Sequence, residues 1–241
     1  MRFAPRFRPI PFIAALIVAI FGILLGNWQQ DRAAYKTELQ TQQRERGAAA
    51  PIELGPAIAW RDDLAFRRVR LRGEFVAGWP VFLANRPMGS QSGFYLAMPF
   101  RIAGSDMHVL VLRGWLPRQA EFGKLPPFVT PAGPLLIEGR VVASSGRVME
   151  LGESAPLAPG AQVQNLAPQD LARASGLALQ PFLVQQTAPA TADDRLQRDW
   201  PAPDAGIDKH RGYAFQWYAL AALAVLFYVM TGFRRGSGKT D

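Results

Sequence analysis

One histidine near the carboxyl end, His210, stands among aromatic residues at a spacing that suits a metal-bearing ring. In an α-helix, His210, Tyr213 and Trp217 (i, i+3, i+7) share one face. Imidazole is the common axial ligand of haem iron. Lysine and arginine pair with carboxylates, which makes the flanking Lys209 and Arg211 candidate partners of the ring's propionates. The alternative is a histidine that only tolerates the membrane interface.

This histidine lies at the edge of an apolar segment that is long enough to cross a membrane. The 21 residues of Tyr213–Phe233 carry no formal charge, and about 20 apolar residues in a helix span a hydrocarbon core of about 30 Å. Aromatic side chains such as Phe215 and Tyr218 favour the headgroup level. The sequence therefore predicts a second transmembrane helix over 210–233, with the histidine beside the membrane.

A first apolar segment follows the amino terminus. Ile10–Leu25 are uncharged, and Trp28 is a suitable interfacial anchor. A secretory signal peptide would also begin with basic residues and an apolar run. However, this run is long, and no small-x-small cleavage site follows it in GNWQQDR. We therefore expect an uncleaved transmembrane helix over 10–28.

Basic residues near both termini predict the membrane topology. The positive-inside tendency places the two ends, 1–9 and 234–241, in the cytoplasm and the intervening domain, 29–209, on the far side. The short segment before the first apolar run leaves no room for an organelle transit peptide, so we expect a bacterial inner (plasma) membrane protein with a periplasmic domain. The terminal basic residues are Arg2, Arg6, Arg8, Arg234, Arg235 and Lys239.

The middle of the chain is predicted to be one β-rich domain with a leading helical stalk. Gln29–Arg46 are strong helix formers, and the stalk stops at Gly47 and Pro51. Alternating apolar residues and glycine-rich turns then indicate short strands, with loops over 152–160 and 188–206. The predicted strands are Phe66–Val76, Trp79–Ala84, Phe94–Ile102, Met107–Arg113, Leu135–Val142 and Phe182–Gln185, with one short helix over Pro168–Ser175 that ends at Gly176.

The predicted fold class is therefore membrane α+β. Two transmembrane helices flank one extramembrane domain that contains an antiparallel β-sheet or barrel and one or two short helices. Short strands joined by turns, without helices between them, are typical of such a sheet.

Composition excludes several kinds of site. The chain has no cysteine, which excludes disulfides, thiolate zinc sites and iron–sulfur clusters. Two histidines cannot fill a zinc site, so a metal is expected only inside a cofactor. The 27 lysines and arginines are spread along the chain without a long basic block, and we expect no nucleic-acid partner.

Enzyme function is weakly supported. His108 is predicted to be a strand-surface residue near Asp106 and not a general base. The basic residues of NRP (85–87) and RGW (113–115) are predicted to lie at strand ends and turns. We expect no catalytic residues.

Four motifs follow one another in order along the chain. They are LGNWQQDRAAYK at 25–36, NRPMGSQSGFY at 85–95, RGWLP at 113–117 and HRGYAFQWYALA at 210–221. Together they resemble the surfeit-locus (Surf-one/Shy-one) cytochrome c oxidase assembly family. That family often has asparagine before its histidine, where this chain has Lys209.

The resemblance implies a two-span assembly factor that binds haem a and helps pass it from haem A synthase to the catalytic subunit, subunit I, of cytochrome c oxidase. By motif, His210 would be the iron ligand, with Tyr213, Gln216 and Trp217 around the ring. The alternative is a non-haem membrane scaffold that stabilises oxidase assembly intermediates. A third interpretation, a membrane-anchored periplasmic hydrolase, would need a deep pocket around His108.

Overall fold

The computed structural model describes residues 9–57, 60–121, 123–149, 156–189, 194–200 and 206–232. The basic terminal residues, together with parts of the loops predicted over 152–160 and 188–206, lie outside the described residues. The chain divides into two units. One contains the described residues up to Thr41 and from Gly206 onward, and the other is Gln42–Trp200.

The elements follow one another as a long helix, a mixed sheet with one inserted short helix, and a second long helix. In chain order they are α1 (Pro9–Ala48), β1 (Ile52–Glu53), a 3₁₀ helix (Asp62–Leu64), β2 (Arg68–Phe75), β3 (Val81–Met88), β4 (Gln91–Ile102), β5 (Met107–Pro117), β6 (Leu135–Val142), β7 (Gln162–Val163), α2 (Pro168–Ser175), β8 (Ala178–Gln186) and α3 (Ile207–Gly232).

Both long helices, α1 and α3, are long and apolar enough to cross a membrane. Helix α1 continues without interruption past Trp28 and ends at Ala48, so the stalk predicted over Gln29–Arg46 is confirmed as one helix with the first span. Glycine is the weakest helix former after proline, and Gly47 followed by Pro51 explains why the helix ends there.

In the first unit α1 and α3 pack side by side through small residues. The buried residues of α1 fall three, four and seven apart, so they form one stripe that faces α3. At Gly22 an added Cβ atom would lie 2.8 Å from the Trp217 carbonyl oxygen and 2.9 Å from the Ala221 Cβ. We call this contact stripe the helix seam, and its buried members are Ala19, Gly22, Gly26, Ala33, Ala214 and Ala221.

The two helices run antiparallel along the seam. The rings of Phe12 and Tyr228 meet edge to face at 5.4 Å near one end. Near the other end, an added Cβ at Gly206 would lie 3.5 Å from the Lys36 Nζ. Small residues spaced four apart let helix backbones approach closely. Such packing matters in a membrane, because the hydrophobic effect does not drive helices together in lipid.

In the second unit the strands close into a barrel. The ring runs β2–β6–β8–β5–β4 and returns to β2, because β2 pairs with both β6 and β4. The Gly73 backbone takes part in both pairings, opposite Leu135 and Ile102. At Gly73, where φ is 159°, an added Cβ would lie 1.9 Å from the Arg101 carbonyl oxygen, so only glycine fits at this closure.

The barrel strands bury both of their faces. Alternate residues of β4 point in opposite directions, so Phe94, Leu96 and Met98 enter the barrel core. Tyr95 and Ala97 enter a second apolar layer outside the barrel. Helix α2 covers that outer layer, which also contains Leu166, Leu171 and Leu183.

The predicted architecture is confirmed: two long apolar helices flank a β domain with one short α-helix and one 3₁₀ turn. Helix α2 spans Pro168–Ser175 and ends at Gly176, as predicted, with Gly176 in the left-handed region at φ 71°. The sheet is not purely antiparallel, because β1, β7 and β8 pair parallel to β2, β3 and β5, respectively. A parallel strand needs a long crossover connection, and the segment that contains β7 and α2 precedes β8.

The prediction that the arginines of NRP and RGW lie at strand ends and turns is wrong. Arg86 is inside β3, and Arg113 is inside β5. Both are buried, with 6% and 0% of their surface exposed. A prediction from hydrophobic periodicity places arginine on the solvent-exposed face of a strand. The long side chain of arginine can, however, donate hydrogen bonds to backbone carbonyl oxygens inside a domain.

Candidate functional site

His210 lies in the first turn of α3, half-buried, and its ring is held by α1. The His210 Nδ1 atom is 2.6 Å from the Oε1 atom of Gln29. The two residues are 181 positions apart in the sequence and come together because the helix seam places the first turn of α3 beside the middle of α1. The ring therefore faces the opening helix.

This contact favours one tautomer of the His210 ring. An amide oxygen accepts hydrogen bonds, so the tautomer that fits the contact has its proton on Nδ1 and donates it to Gln29 Oε1. In that tautomer of the neutral ring, the lone pair lies on Nε2. No hydrogen bond to Nε2 occurs within the described residues. This arrangement is the one that metal-binding histidines use, with one nitrogen oriented by a neighbour and the other left to the metal.

Helix α3 places two of the predicted site residues on the same face as His210 and places Gln216 on a different face. Tyr213 and Trp217 lie within roughly 60° of His210 around the helix axis, so the predicted shared face is a feature of α3. Tyr213 is 53% exposed, and Trp217 is half-buried. Gln216 is exposed and lies about 120° around the axis from His210, away from that face.

The flanking cations point to either side of the histidine. Lys209 and Arg211 are exposed, and each lies about 100° around the helix from His210. Arg211 approaches Asp208 at 3.9 Å, and an exposed pair at that distance holds its partners weakly. Arg211 is therefore only weakly held by Asp208.

Helix α1 also makes a polar bond to α3 that does not involve His210, and it presents an aromatic residue and a cation. The Tyr218 hydroxyl donates to Asn27 Oδ1 at 2.7 Å, which makes a second polar bond across the seam. Trp28 is 50% exposed, and the Arg32 guanidinium lies 5.8 Å from its ring centre. The site therefore combines one imidazole with exposed aromatic surface and several cations.

Sequence reasoning missed Gln29 and Asn27. Their residue types are common in a polar stalk, and no local spacing links them to position 210. One signal does exist: Gly22, Gly26, Gln29 and Ala33 recur at intervals of four, three and four. That spacing marks one face of a helix, and Gln29 is the residue on it that is neither small nor apolar.

The second histidine does not form a comparable site. His108 lies in β5, is 6% exposed, and its Nδ1 is 3.2 Å from the Ala178 carbonyl oxygen on β8. It is therefore buried between strands, and the prediction of a strand-surface residue is wrong. A cleft of about 950 Å³ in this unit contains Ser144 and Asp170, but no histidine lines it. That cleft therefore gives no support to a hydrolase site built on His108.

The two motif arginines serve the β domain. Arg86 Nη2 donates to the Gly146 and Gln164 carbonyl oxygens, both at 3.0 Å. Burial lowers the pKa of Arg86, and it lowers the pKa of Arg113 to about 10, an effect that the nearby Asp194 opposes. Both guanidinium groups donate hydrogen bonds to backbone carbonyl oxygens of loops. The two arginines therefore hold loops against the barrel.

Metal-ligating side chains do not cluster in the part of the chain that the structure describes. Within the described ranges there is no cluster of three or more histidine, cysteine, aspartate or glutamate side chains that could hold a metal ion. His210 can therefore supply one ligand to a metal whose other ligands come from elsewhere.

Comparison with known proteins gives a consistent family assignment. The SURF1 family model matches residues 16–222. A SURF1-like protein of Rickettsia bellii is 27% identical over 225 residues, which is 90% of this chain and 88% of that protein. A SURF1-like protein of Drosophila melanogaster is also 27% identical, over 92% of this chain and 78% of that protein. The cytochrome oxidase assembly protein SHY1 of Saccharomyces cerevisiae is 29% identical over 99 residues, which cover 40% of this chain and 25% of that protein.

Proposed function

Because the chain belongs to the SURF1 family, we propose that it is an assembly factor for cytochrome c oxidase that binds haem a and aids its delivery to the catalytic subunit. A relative in yeast is named a cytochrome oxidase assembly protein, and this supports the general role. The haem-binding part of the proposal depends on the site itself.

One observation carries that part: the hydrogen bond between His210 Nδ1 and Gln29 Oε1. It leaves Nε2 as the nitrogen with a lone pair, on a half-buried ring that other molecules can reach. A histidine that only tolerated the interface would have no need of a partner from the other helix. The residues at the site therefore fit an iron porphyrin that binds through Nε2.

The surrounding side chains can hold the rest of the ring. Tyr213 and Trp217 offer aromatic faces for the porphyrin, while Lys209 and Arg211 can pair with its propionates. Gln216, which lies away from the histidine face, would contact only the edge of a large ligand. When bound, haem a supplies an iron centre that its acceptor protein uses for electron transfer and oxygen chemistry.

The same proposal assigns partners and location. The bilayer holds α1 and α3, haem A synthase supplies the ligand, and oxidase subunit I receives it. By the positive-inside tendency, the two termini lie in the cytoplasm and the β domain in the periplasm of a bacterial inner membrane. Carrying a ligand breaks no covalent bond, and we therefore propose a chaperone and not an enzyme.

The test is an absorption spectrum of the full chain purified from cells that make haem a. We expect a Soret band and an α band in the unaltered protein and their loss in His210→Ala. The matched control is His108→Gln, which alters the other histidine and should keep the bands.

The alternative scaffold function predicts a different outcome. If the unaltered protein carries no haem and His210→Ala still binds oxidase subunits normally, the haem-binding proposal is wrong. If bands persist in His210→Ala at full intensity, His210 is not the iron ligand.

A further inference from the structure

Gln29 is an exception within the helix seam. The seam positions of α1 around it, Gly22, Gly26 and Ala33, are buried and small. A glutamine among them loses side-chain freedom and must satisfy an amide at a helix contact. Its Oε1 atom meets Nδ1 of His210, at 2.6 Å. The protein therefore places a long polar side chain where small residues otherwise bring the helices together.

We propose that Gln29 is a positioning residue for the His210 ligand and tunes the electronic state of the iron that His210 binds. This inference rests on the proposed haem binding. Gln29 would not touch the porphyrin. It would act through the imidazole, because a hydrogen bond from Nδ1–H fixes the tautomer and the ring angle and makes Nε2 a stronger donor to the metal.

A purely structural role is the competing explanation. A polar pair in a helix contact can fix the register of the two helices, and the Asn27–Tyr218 hydrogen bond across the same seam does that without touching His210. Removing the Asn27 bond therefore changes helix pairing alone. Removing the Gln29 bond changes helix pairing and the imidazole together.

The experiment is a haemin titration of the full chain, purified in detergent without bound haem, followed by measurement of the reduction potential. Gln29→Leu has similar bulk but no acceptor, and we expect it to weaken haemin affinity by roughly 10- to 100-fold, as for other outer-shell partners of metal ligands. It should also raise the reduction potential of the bound iron, because a less basic imidazole stabilises the ferric state less.

A conservative substitution of Gln29 should shift the reduction potential in the opposite direction from Gln29→Leu. Gln29→Glu keeps an oxygen acceptor and should retain haemin binding. It should lower the reduction potential below that of the unaltered protein, because a carboxylate is a stronger acceptor for Nδ1–H. A residue that only fixed helix register would not produce opposite shifts with leucine and glutamate.

Two control variants separate the explanations. Gln30→Leu changes the neighbouring exposed glutamine of α1 and should leave affinity and potential unchanged. Asn27→Leu removes the other polar bond of the seam and should leave the potential unchanged. If Asn27→Leu shifts the potential as much as Gln29→Leu does, Gln29 acts only through helix pairing and the inference is wrong.

Failure of this inference is distinct from failure of the proposed function. If His210→Ala abolishes haemin binding while Gln29→Leu changes neither affinity nor potential, haem binding stands and the positioning role does not. If His210→Ala binds haemin as the unaltered protein does, the proposed site itself is wrong.

Discussion

Arg113 is a positive charge buried within the β domain, with 0% of its surface exposed. Its Nη2 donates to the Val129 carbonyl oxygen at 2.9 Å, and its Nη1 lies 3.2 Å from the Met98 sulfur. The guanidinium carbon also lies 4.5 Å from the ring centre of Phe75. A buried charge is costly unless polar or aromatic groups replace water, and these contacts provide that replacement.

The burial cost depends on pH with a defined sign. Burial lowers the pKa of Arg113 from the ordinary arginine value to about 10, so the folded protein binds this proton less readily than the unfolded chain. The cost is therefore fully present below about pH 10 and is relieved only as the pH rises toward the ordinary pKa of arginine. At neutral pH the contacts with Val129, Met98 and Phe75, together with the nearby Asp194, offset it.

Substitutions of Arg113 separate the contribution of its side-chain volume to stability from that of its charge. Arg113→Ala leaves a cavity and an unpaired Val129 carbonyl, and we expect it to lower the free energy of unfolding by about 3 kcal/mol. Arg113→Met fills most of the volume and removes the buried charge, so its cost should be smaller, about 1 kcal/mol. Denaturant unfolding of the full chain in detergent, followed by tryptophan fluorescence, measures both.

The control for these variants is Arg72→Ala, because Arg72 is exposed on β2 and should change stability by less than about 0.5 kcal/mol. Equal losses for Arg113→Ala and Arg113→Met would mean that the charge itself stabilises the barrel.

At the scale of single residues the sequence predicts chemistry better than it predicts contacts. The aromatic spacing around His210 depends on one helix, and helical periodicity predicts it. The Gln29 contact could not be predicted, because it depends on the alignment of two helices that lie far apart in the chain. Arg86 and Arg113 were misplaced because charge alone does not predict which arginines find carbonyl oxygens inside a domain.

Among the secondary-structure elements, α1 and α3 depend on small residues for their contact. Gly22 lies against the α3 backbone, where an added Cβ would be 2.8 Å from the carbonyl oxygen of Trp217. Gly212, on α3, has no atom within 4 Å of an added Cβ. The two glycines thus form a matched pair, one within the seam and one outside it.

Enlarging Gly22 should separate the helices. Gly22→Leu forces side-chain atoms into the α3 backbone, and overpacking of this kind costs roughly 1–3 kcal/mol. Because the chain has no native cysteine, a Phe12→Cys, Tyr228→Cys double variant reports helix proximity by cross-linking in membranes. We expect efficient cross-linking in that background and a large reduction when Gly22→Leu is added. Gly212→Leu should have no effect, and a reduction of the same size there would argue against a specific seam.

The elements themselves were largely predictable from periodicity. Helix α2 and the long α1 follow from helix formers bounded by glycine and proline, and β2 and β6 follow from alternation. The closure of the barrel was not predictable, because it depends on one glycine of β2 pairing with two strands. The two-residue strands β1 and β7 are too short to show any period, and the parallel direction of β8 is set by tertiary pairing.

At the scale of the whole molecule, the charge distribution and the two long helices predict a single topology. Helices α1 and α3 each have the length and apolarity to cross a bilayer, so a chain that crosses twice has both termini on one side. The basic residues that flank the apolar segments favour the cytoplasm for those termini. We therefore expect the β domain, between the two proposed spans, to lie on the opposite side.

Cysteine labelling of intact cells tests this topology, because the native chain has no cysteine to give a background signal. Ser90 is exposed in the turn between β3 and β4, so Ser90→Cys should react with a membrane-impermeant maleimide in intact spheroplasts. Lys239→Cys, in the basic carboxyl terminus, should react only after the membrane is permeabilised. Labelling of Lys239→Cys without permeabilisation would reverse the topology, place His210 at the cytoplasmic face and contradict the proposed periplasmic location of the site.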